Sequence, residues 1–207
     1  MYTPPYARNH NTEEIRDFIR QHGFATLVAQ GNAQLWATHT PLYLNREGTH
    51  LSGHIAKANP QWKAFSENPE VIAIFQGPHA YISSSWYDHE NVPTWNYIAA
   101  HAYGTLMVLS HAETLQSLKQ LVDQYEVHSA HPVTVEGMSP DYVEKEVRGL
   151  VAFEITITRL EAAYKLSQNR DAANHAQIIA QLRQRGDAQS MAVADAMQQY
   201  SNKSKPG

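Results

Sequence analysis

The chain has 207 residues, enough for one large domain or a domain with an appendage and a substantial buried core. Charged residues make up 17% and the net charge is -4, which excludes a general attraction to nucleic acid or anionic membranes. The absence of cysteine excludes disulfides and thiolate metal sites and fits a reducing cytoplasm. No basic-then-apolar leader opens the chain, and no apolar run reaches the length of a membrane span.

In chain order, Asn11 or Thr12 caps a first helix, EEIRDFIRQH, with Ile15, Phe18 and Ile19 on its apolar face and Gly23 after its end. Short β-like runs follow: FATLVAQ, AQLWATHTPLYL after a Gly31-Asn32 turn, and THLSGHIA after Arg46-Glu47-Gly48. Asn59 as N-cap and Pro60 at the first helical position open a short helix, PQWKAFSEN. VIAIFQG and HAYISSSWY read as two further strands, and Thr94 to Leu109 as another. Leu115, Leu118, Leu121, Val122 and Tyr125 recur at helical spacing between Ala112 and Glu126. Pro140 to Val147 adds one or two helical turns, and LVAFEITITRLEAAYKLS is the last strand. Two helices, roughly Asp171 to Arg185 and Ala188 to Tyr200, are broken at Gly186, and SNKSKPG reads as a disordered tail from about residue 201. Six or seven strands with helices outside the β run predict an antiparallel barrel of the α+β class. The expected division is a barrel domain over 1–165 and a helical extension over 166–207 packed on it.

The segment from Phe75 to Gly104 carries seven of the twenty aromatic residues and only two charges, Asp88 and Glu90. Flat side chains among small neutral hydrogen-bonding groups suit a pocket for a flat, polar-edged ligand; a strand pair with an aromatic core face is the plainer alternative. In GHIAKANPQW a strand meets a capped helix, so His54, Lys57 and Asn59 stand where an anion is favoured. Alternatively Asn59 only caps and Lys57 is solvated. Thr38 and Thr40 share one strand face and His39 the other. If SSSWY continues its strand, Ser83 and Ser85 share a face opposite Ser84 and Trp86. Gln168, Asn169 and Arg170 follow the last strand with amide and guanidinium groups able to read a heterocycle edge or an anion, or simply to form a polar loop. The twelve histidines show no metal-ligand spacing, and GxSxG, Walker and GxGxxG patterns are absent. No residue declares itself as a catalytic acid, base or nucleophile.

MYTPPYA, ATHTPL, GHIAKANPQW, IFQGPHAYISSSWY, VPTWNYIAAHAYG and GLVAFEITITRLEAAYKLSQNR, in this order and with the closing helices, resemble the PaiB-type family of FMN-binding negative transcriptional regulators. The segment from His128 to Ser139 matches least. The resemblance implies a split antiparallel β-barrel like that of pyridoxine-phosphate oxidases and flavin reductases, with peripheral helices and a C-terminal helical pair. It implies a homodimer with FMN at the subunit interface, and the composition read above makes a cytoplasmic location the expectation. The phosphate would lie at His54, Lys57 and Asn59, and the ring against Thr38, His39, Ser83, Ser85 and Trp86. Trp95, Asn96 and Gln168, Asn169 and Arg170 would supply the other wall. For DNA, Ala188 to Tyr200 holds no Lys or Arg, and Tyr164 to Gly207 carries six basic residues against three acids, a weak basis for direct binding. An FMN-dependent oxidoreductase and a haem-handling split barrel are the competing readings.

Overall fold

The computed structural model describes residues 1–31 and 33–203, with Asn32 of the expected Gly31-Asn32 turn outside them. By compactness these residues form two units. Unit 2 comprises 12–75 and 101–160; unit 1 comprises 1–11, 76–100 and 161 onward.

Unit 2 opens with α1 (Thr12–Gln21), whose Ile15, Phe18 and Ile19 are buried as their spacing predicts. It continues through β2 (Phe24–Gly31), β3 (Gln34–Leu44) and β4 (His50–Ala56), numbered after the two-residue β1 (Arg8–Asn9) of unit 1. Three long strands, β5 (Glu70–Ile82), β6 (Thr94–Val108) and β7 (Leu150–Lys165), run through both units. The strand order is β1-β7-β4-β3-β2-β5-β6, and an additional β6–β7 pairing links the last strand of this order back to β7, leaving β1 at an edge. Antiparallel registers such as Leu27 opposite Thr38, and Gly53 opposite Phe153, set which side chains face inward. In β2, Ala25, Leu27, Ala29 and Gly31 alternate inward and are buried, as period two demands. The interior of unit 2 is filled by Ile19, Leu27, Leu42, Leu51, Phe75, Phe153 and Ile155, all at most 1% exposed, with Phe65 edge-on to Phe153. Gly104 allows β6 to approach β7, since a Cβ there would lie 2.4 Å from the Thr156 carbonyl oxygen. Outside the strands lie a 3₁₀ turn at Pro60–Lys63, α2 (Ala64–Glu67), α3 (His111–Glu126) and α4 (Pro140–Val147). A capping box starts α3: Ser110 Oγ accepts from Glu113 N while the Glu113 carboxylate accepts from Ser110 N. This extends the helix N-terminally from the expected Ala112.

In unit 1, β1 pairs with β7 through Arg8–Ala163 and Asn9–Ala162, an element too short for sequence periodicity to reveal. Its core joins Leu166, Ile178, Leu182, Val193, Ala194 and Met197. Most of these come from α5 (Ala172–Arg185) and α6 (Ala188–Lys203). Asp171 caps α5 through Asn174 N, and Gly186, at φ 76°, ends it in the left-handed conformation.

Three expectations are corrected. VIAIFQG and HAYI form one strand, since Pro78 removes one ladder donor without ending β5. SSSWY is not strand: β5 stops at Ile82 and Ser84–Trp86 is a 3₁₀ turn, so Ser83 and Ser85 share no strand face. Ser83 Oγ accepts from Ser85 N at 3.2 Å, and the two hydroxyls bond at 2.8 Å; these local bonds replace the ladder. Ser201 to Lys203, expected in the tail, continue α6, and residues 204–207 of that expectation lie outside the described residues.

Candidate functional site

In unit 2, the predicted anion-binding residues gather where β3 and β4 meet the 3₁₀ turn. Asn59 caps the turn, its Oδ1 accepting from Gln61 N at 3.0 Å, while its Nδ2 donates to Thr38 Oγ1 at 2.7 Å. The Thr38 hydroxyl donates in turn to Gln61 Oε1. Gln61, fully buried, donates from Nε2 to the Leu27 carbonyl at 3.1 Å. One amide thus ties β2, β3 and the turn together, and it positions both Thr38 and Asn59. Gln61 was not among the expected site residues. Nothing around it in the sequence marks it as buried, because its partners lie 23 and 34 residues away.

His54 on β4 is half-buried, and burial pushes its imidazole below the ordinary range, so near neutral pH it offers hydrogen bonds and no charge. Thr40 Oγ1 donates to the His54 carbonyl at 2.7 Å, anchoring that strand position. Lys57 is exposed and, among the described residues, its ammonium forms no ion pair. Its backbone N donates to Gly149 and its carbonyl accepts from Trp62 Nε1, both fixing the loop. Lys57 lines a cavity of about 360 Å³ together with Trp62, His111, Thr114, Leu150 and Val151. Trp62 and His111 also escaped sequence reading, since neither stands at a recognisable ligand spacing. The helix expected after Asn59 is a four-residue 3₁₀ turn followed by a four-residue α turn. So short a segment develops little macrodipole, and the attraction for an anion rests on the Lys57 charge. His39 is exposed on β3 and stacks on Phe24, with ring centroids 6.1 Å apart.

Unit 1 holds the remaining predicted residues. Trp95 is 53% exposed and meets Tyr81 edge-on at 5.9 Å and His79 at 6.2 Å, forming an aromatic surface patch. Trp86 lies beneath the Arg185 guanidinium at 4.7 Å. Ser83 and Ser85 are occupied in their own turn. Asn96 is fully enclosed: its Nδ2 donates to Met197 Sδ at 3.3 Å and its Oδ1 accepts from Ser167 Oγ at 3.1 Å, which makes it a packing group of unit 1. Gln168 folds back on β7, accepting from Leu166 N and donating to the Tyr164 carbonyl. Asn169 is exposed, and Arg170 packs over the Tyr87 ring at 5.1 Å. The structure therefore brings Thr38, His54, Lys57 and Asn59 into one region of unit 2. It turns Asn96 and Gln168 to internal bonding within unit 1.

No helix among the described residues is long and apolar enough to cross a membrane. A family model described as "Putative FMN-binding domain" matches residues 1–159. The protease synthase and sporulation protein PAI 2 of Bacillus subtilis is 42% identical over 200 residues, covering 96% of this chain and 97% of that protein. Among solved structures, the flavocytochrome Anf3 from Azotobacter vinelandii aligns with a TM-score of 0.61 at 16% identity, covering 84% of this chain and 78% of that one. The FAD and heme binding protein from Mycobacterium smegmatis aligns with a TM-score of 0.59 at 16% identity, covering 82% and 78%. At such identities the two structures speak for the split-barrel fold alone. A family match over 159 residues and a relative of nearly equal length agree in the same direction: the chain belongs to the PaiB-type family of FMN-binding proteins.

Proposed function

We propose that the chain is a cytoplasmic homodimeric flavoprotein that holds the FMN phosphate at Lys57 and serves as a regulator of gene expression. The observation that carries the reading is Lys57 itself, a cation with no ion pair among the described residues, lining a cavity in an FMN-binding family. In this reading Lys57 Nζ neutralises the phosphate, and the neutral His54 imidazole donates a hydrogen bond. Asn59 and Thr38, held by Gln61, are assigned to the ring side of the site, and His39, on the opposite face of β3 from Thr38, presents an exposed flat ring. The cavity of about 360 Å³ is at the small end of ligand pockets, which agrees with a second subunit completing the enclosure. Tyr81 and Trp95 offer unit 1 an exposed aromatic surface for subunit contact. FMN, when bound, supplies reversible electron-transfer chemistry that the side chains themselves lack. The PAI 2 relative bears a name tied to protease synthesis and sporulation, which supports the regulatory reading.

One observation favours a second reading, a flavin oxidoreductase without direct DNA contact. Between Ala188 and Tyr200, α6 carries no Lys or Arg, and Arg183 of α5 is turned toward Asp195 at 3.5 Å. A helix pair of this composition is a poor groove reader.

The test is titration of the purified protein with FMN and with riboflavin, followed by flavin fluorescence. Lys57→Ala is expected to weaken FMN about tenfold, one exposed charge-assisted contact, and to leave riboflavin unchanged. Equal losses for both flavins, or no FMN binding by the wild type, would overturn the assignment. Light scattering of the same sample reads the subunit number. Salt-dependent binding to promoter over random DNA separates direct repression from the redox reading.

A further inference from the structure

Unit 1 contains a cleft of about 550 Å³ along α5, and its chemistry differs from that of the Lys57 region. The floor is apolar, with the exposed Ala172, Ala176 and Ala180 of α5 and the buried Ile179 beside them. Arg170 and Arg183 also line it, with Tyr200 and Gln198 of α6 facing from the other side.

The charge balance of this region is positive and donor-rich. Arg170 makes only a 3.5 Å contact with Asn91 Oδ1 and a stacking contact with Tyr87; it has no carboxylate partner among the described residues. Arg183 pairs with Asp195 at 3.5 Å, but both side chains are largely exposed, so the pair is weak and the guanidinium can re-aim. The Tyr87 hydroxyl and Asn91 Nδ2, beside Arg170, are buried with no hydrogen-bond partner among the described residues, but neither residue lines the cleft. Lys165, whose ammonium is held below its ordinary range by burial and then by the Arg170 charge, donates only to Thr94 Oγ1. The acids of this region are already engaged: Asp171 accepts from Asn174 N and Nδ2, and Asp88 bonds His89 and Asn174. Two guanidiniums lining one cleft, neither held by a buried carboxylate, favour an oxyanion. His175, also lining the cleft, is kept neutral near pH 7 by burial and adds no charge.

We propose that the α5–α6 cleft is a second binding site, for a small organic anion whose apolar or aromatic body lies on the alanine and isoleucine floor while its carboxylate or phosphate is gripped by Arg170 and Arg183. The volume suits a ligand of that size, and guanidinium forks match planar or tetrahedral oxyanions. Nucleic acid is disfavoured as the source of the phosphate, because the site is concave and Ala188 to Tyr200 of α6 brings no cation to it.

The test uses the FMN-saturated full-length protein and two probes, benzoate and phenyl phosphate, with benzamide as the uncharged control. Binding is read by calorimetry and by ligand-observed NMR. Binding of at least one anionic probe in the millimolar range or tighter is expected, with benzamide at least tenfold weaker. Arg170→Gln and Arg183→Gln, checked for folding by circular dichroism, should each weaken the anion about tenfold. The preferred probe names the oxyanion. Lys57→Ala should leave this binding unchanged even where it weakens FMN, so failure of the flavin assignment and failure of this one are separable. Loss of probe binding in Lys57→Ala, equal binding of benzamide, or indifference to both arginine substitutions would overturn the proposal. No binding of either anion would do the same.

Discussion

Removing the Gln61 amide tests whether one buried side chain secures the Thr38–Asn59 arrangement. In Gln61→Met the volume is nearly kept, but the Leu27 carbonyl, on a residue with no exposure, loses its Nε2 donor, and the Thr38 hydroxyl loses its acceptor. Removing the side-chain donor from a buried carbonyl costs roughly 1–3 kcal/mol, and the half-buried Thr38 hydroxyl about 0.5 kcal/mol more, because it can turn to water. Together this gives a loss of roughly 2–3 kcal/mol. Gln61→Ala adds an unfilled space of several heavy atoms and about 1 kcal/mol, for a total of roughly 3–4 kcal/mol. For a chain of this size each kcal/mol moves Tm by about 3 °C, so the expected drops are about 7 °C and about 10 °C. Urea and thermal unfolding followed by circular dichroism read both variants, with the urea slope checked for constancy. A Gln61→Met protein within about 0.5 kcal/mol of wild type would refute the role given to the amide.

Substitutions at three other positions probe the frame and its response to pH. Gly104→Ala should destabilise by more than about 2 kcal/mol, because its Cβ meets a backbone oxygen that cannot step aside; a neutral Tm would show that β6 and β7 are farther apart than described. Gly186→Ala should cost about 1 kcal/mol through the left-handed φ, with Gly186→Asn milder; equal stability of all three would remove the αL cap argument. His54 has a folded-state pKa below the ordinary imidazole value of about 6.5, so the unfolded chain binds more protons as pH falls below that value. Stability should therefore decline on acidification below about 6.5 and be indifferent to this group above it, and His54→Gln should flatten the slope of Tm against pH. An unchanged slope would mean that the burial of His54 carries no titration cost.

The elements that local chemistry dictates were legible in the sequence. Ile15, Phe18 and Ile19 name their helix face by spacing, β2 announces its buried side by alternation, and Asn59-Pro60 opens a turn in the expected place. Lys57 stands out in the sequence for the same reason, since strand, cation and cap are contiguous, and its role toward a flavin phosphate is the proposal made above. What escaped depends on partners distant in sequence. Gln61 is buried by residues of β2 and β3, and Asn96 is enclosed by Met197 and Ser167, neither of which its neighbours foretell. The serine run departs from strand because β propensity and hydroxyl capping compete there, and the Ser83 hydroxyl takes the Ser85 backbone N–H. The capping box at Ser110 and Glu113 was visible as a motif but lay just outside the apolar period used to place α3.

The interleaving of the two units along the chain also sets a timetable for synthesis. Everything in unit 2 has left the ribosome once Leu160 emerges, while unit 1 still lacks α5 and α6. The nascent chain therefore passes through a stage in which Ile82 and Ile98 await the Leu166, Ile178 and Leu182 side chains of their unit's core. Removal of the C-terminal segment, by a premature stop or by a protease acting near Glu161, would leave those groups to other apolar surfaces. The helices α5 and α6, which lie beyond the residues the family model matches, thus supply much of the cover for the apolar groups of unit 1.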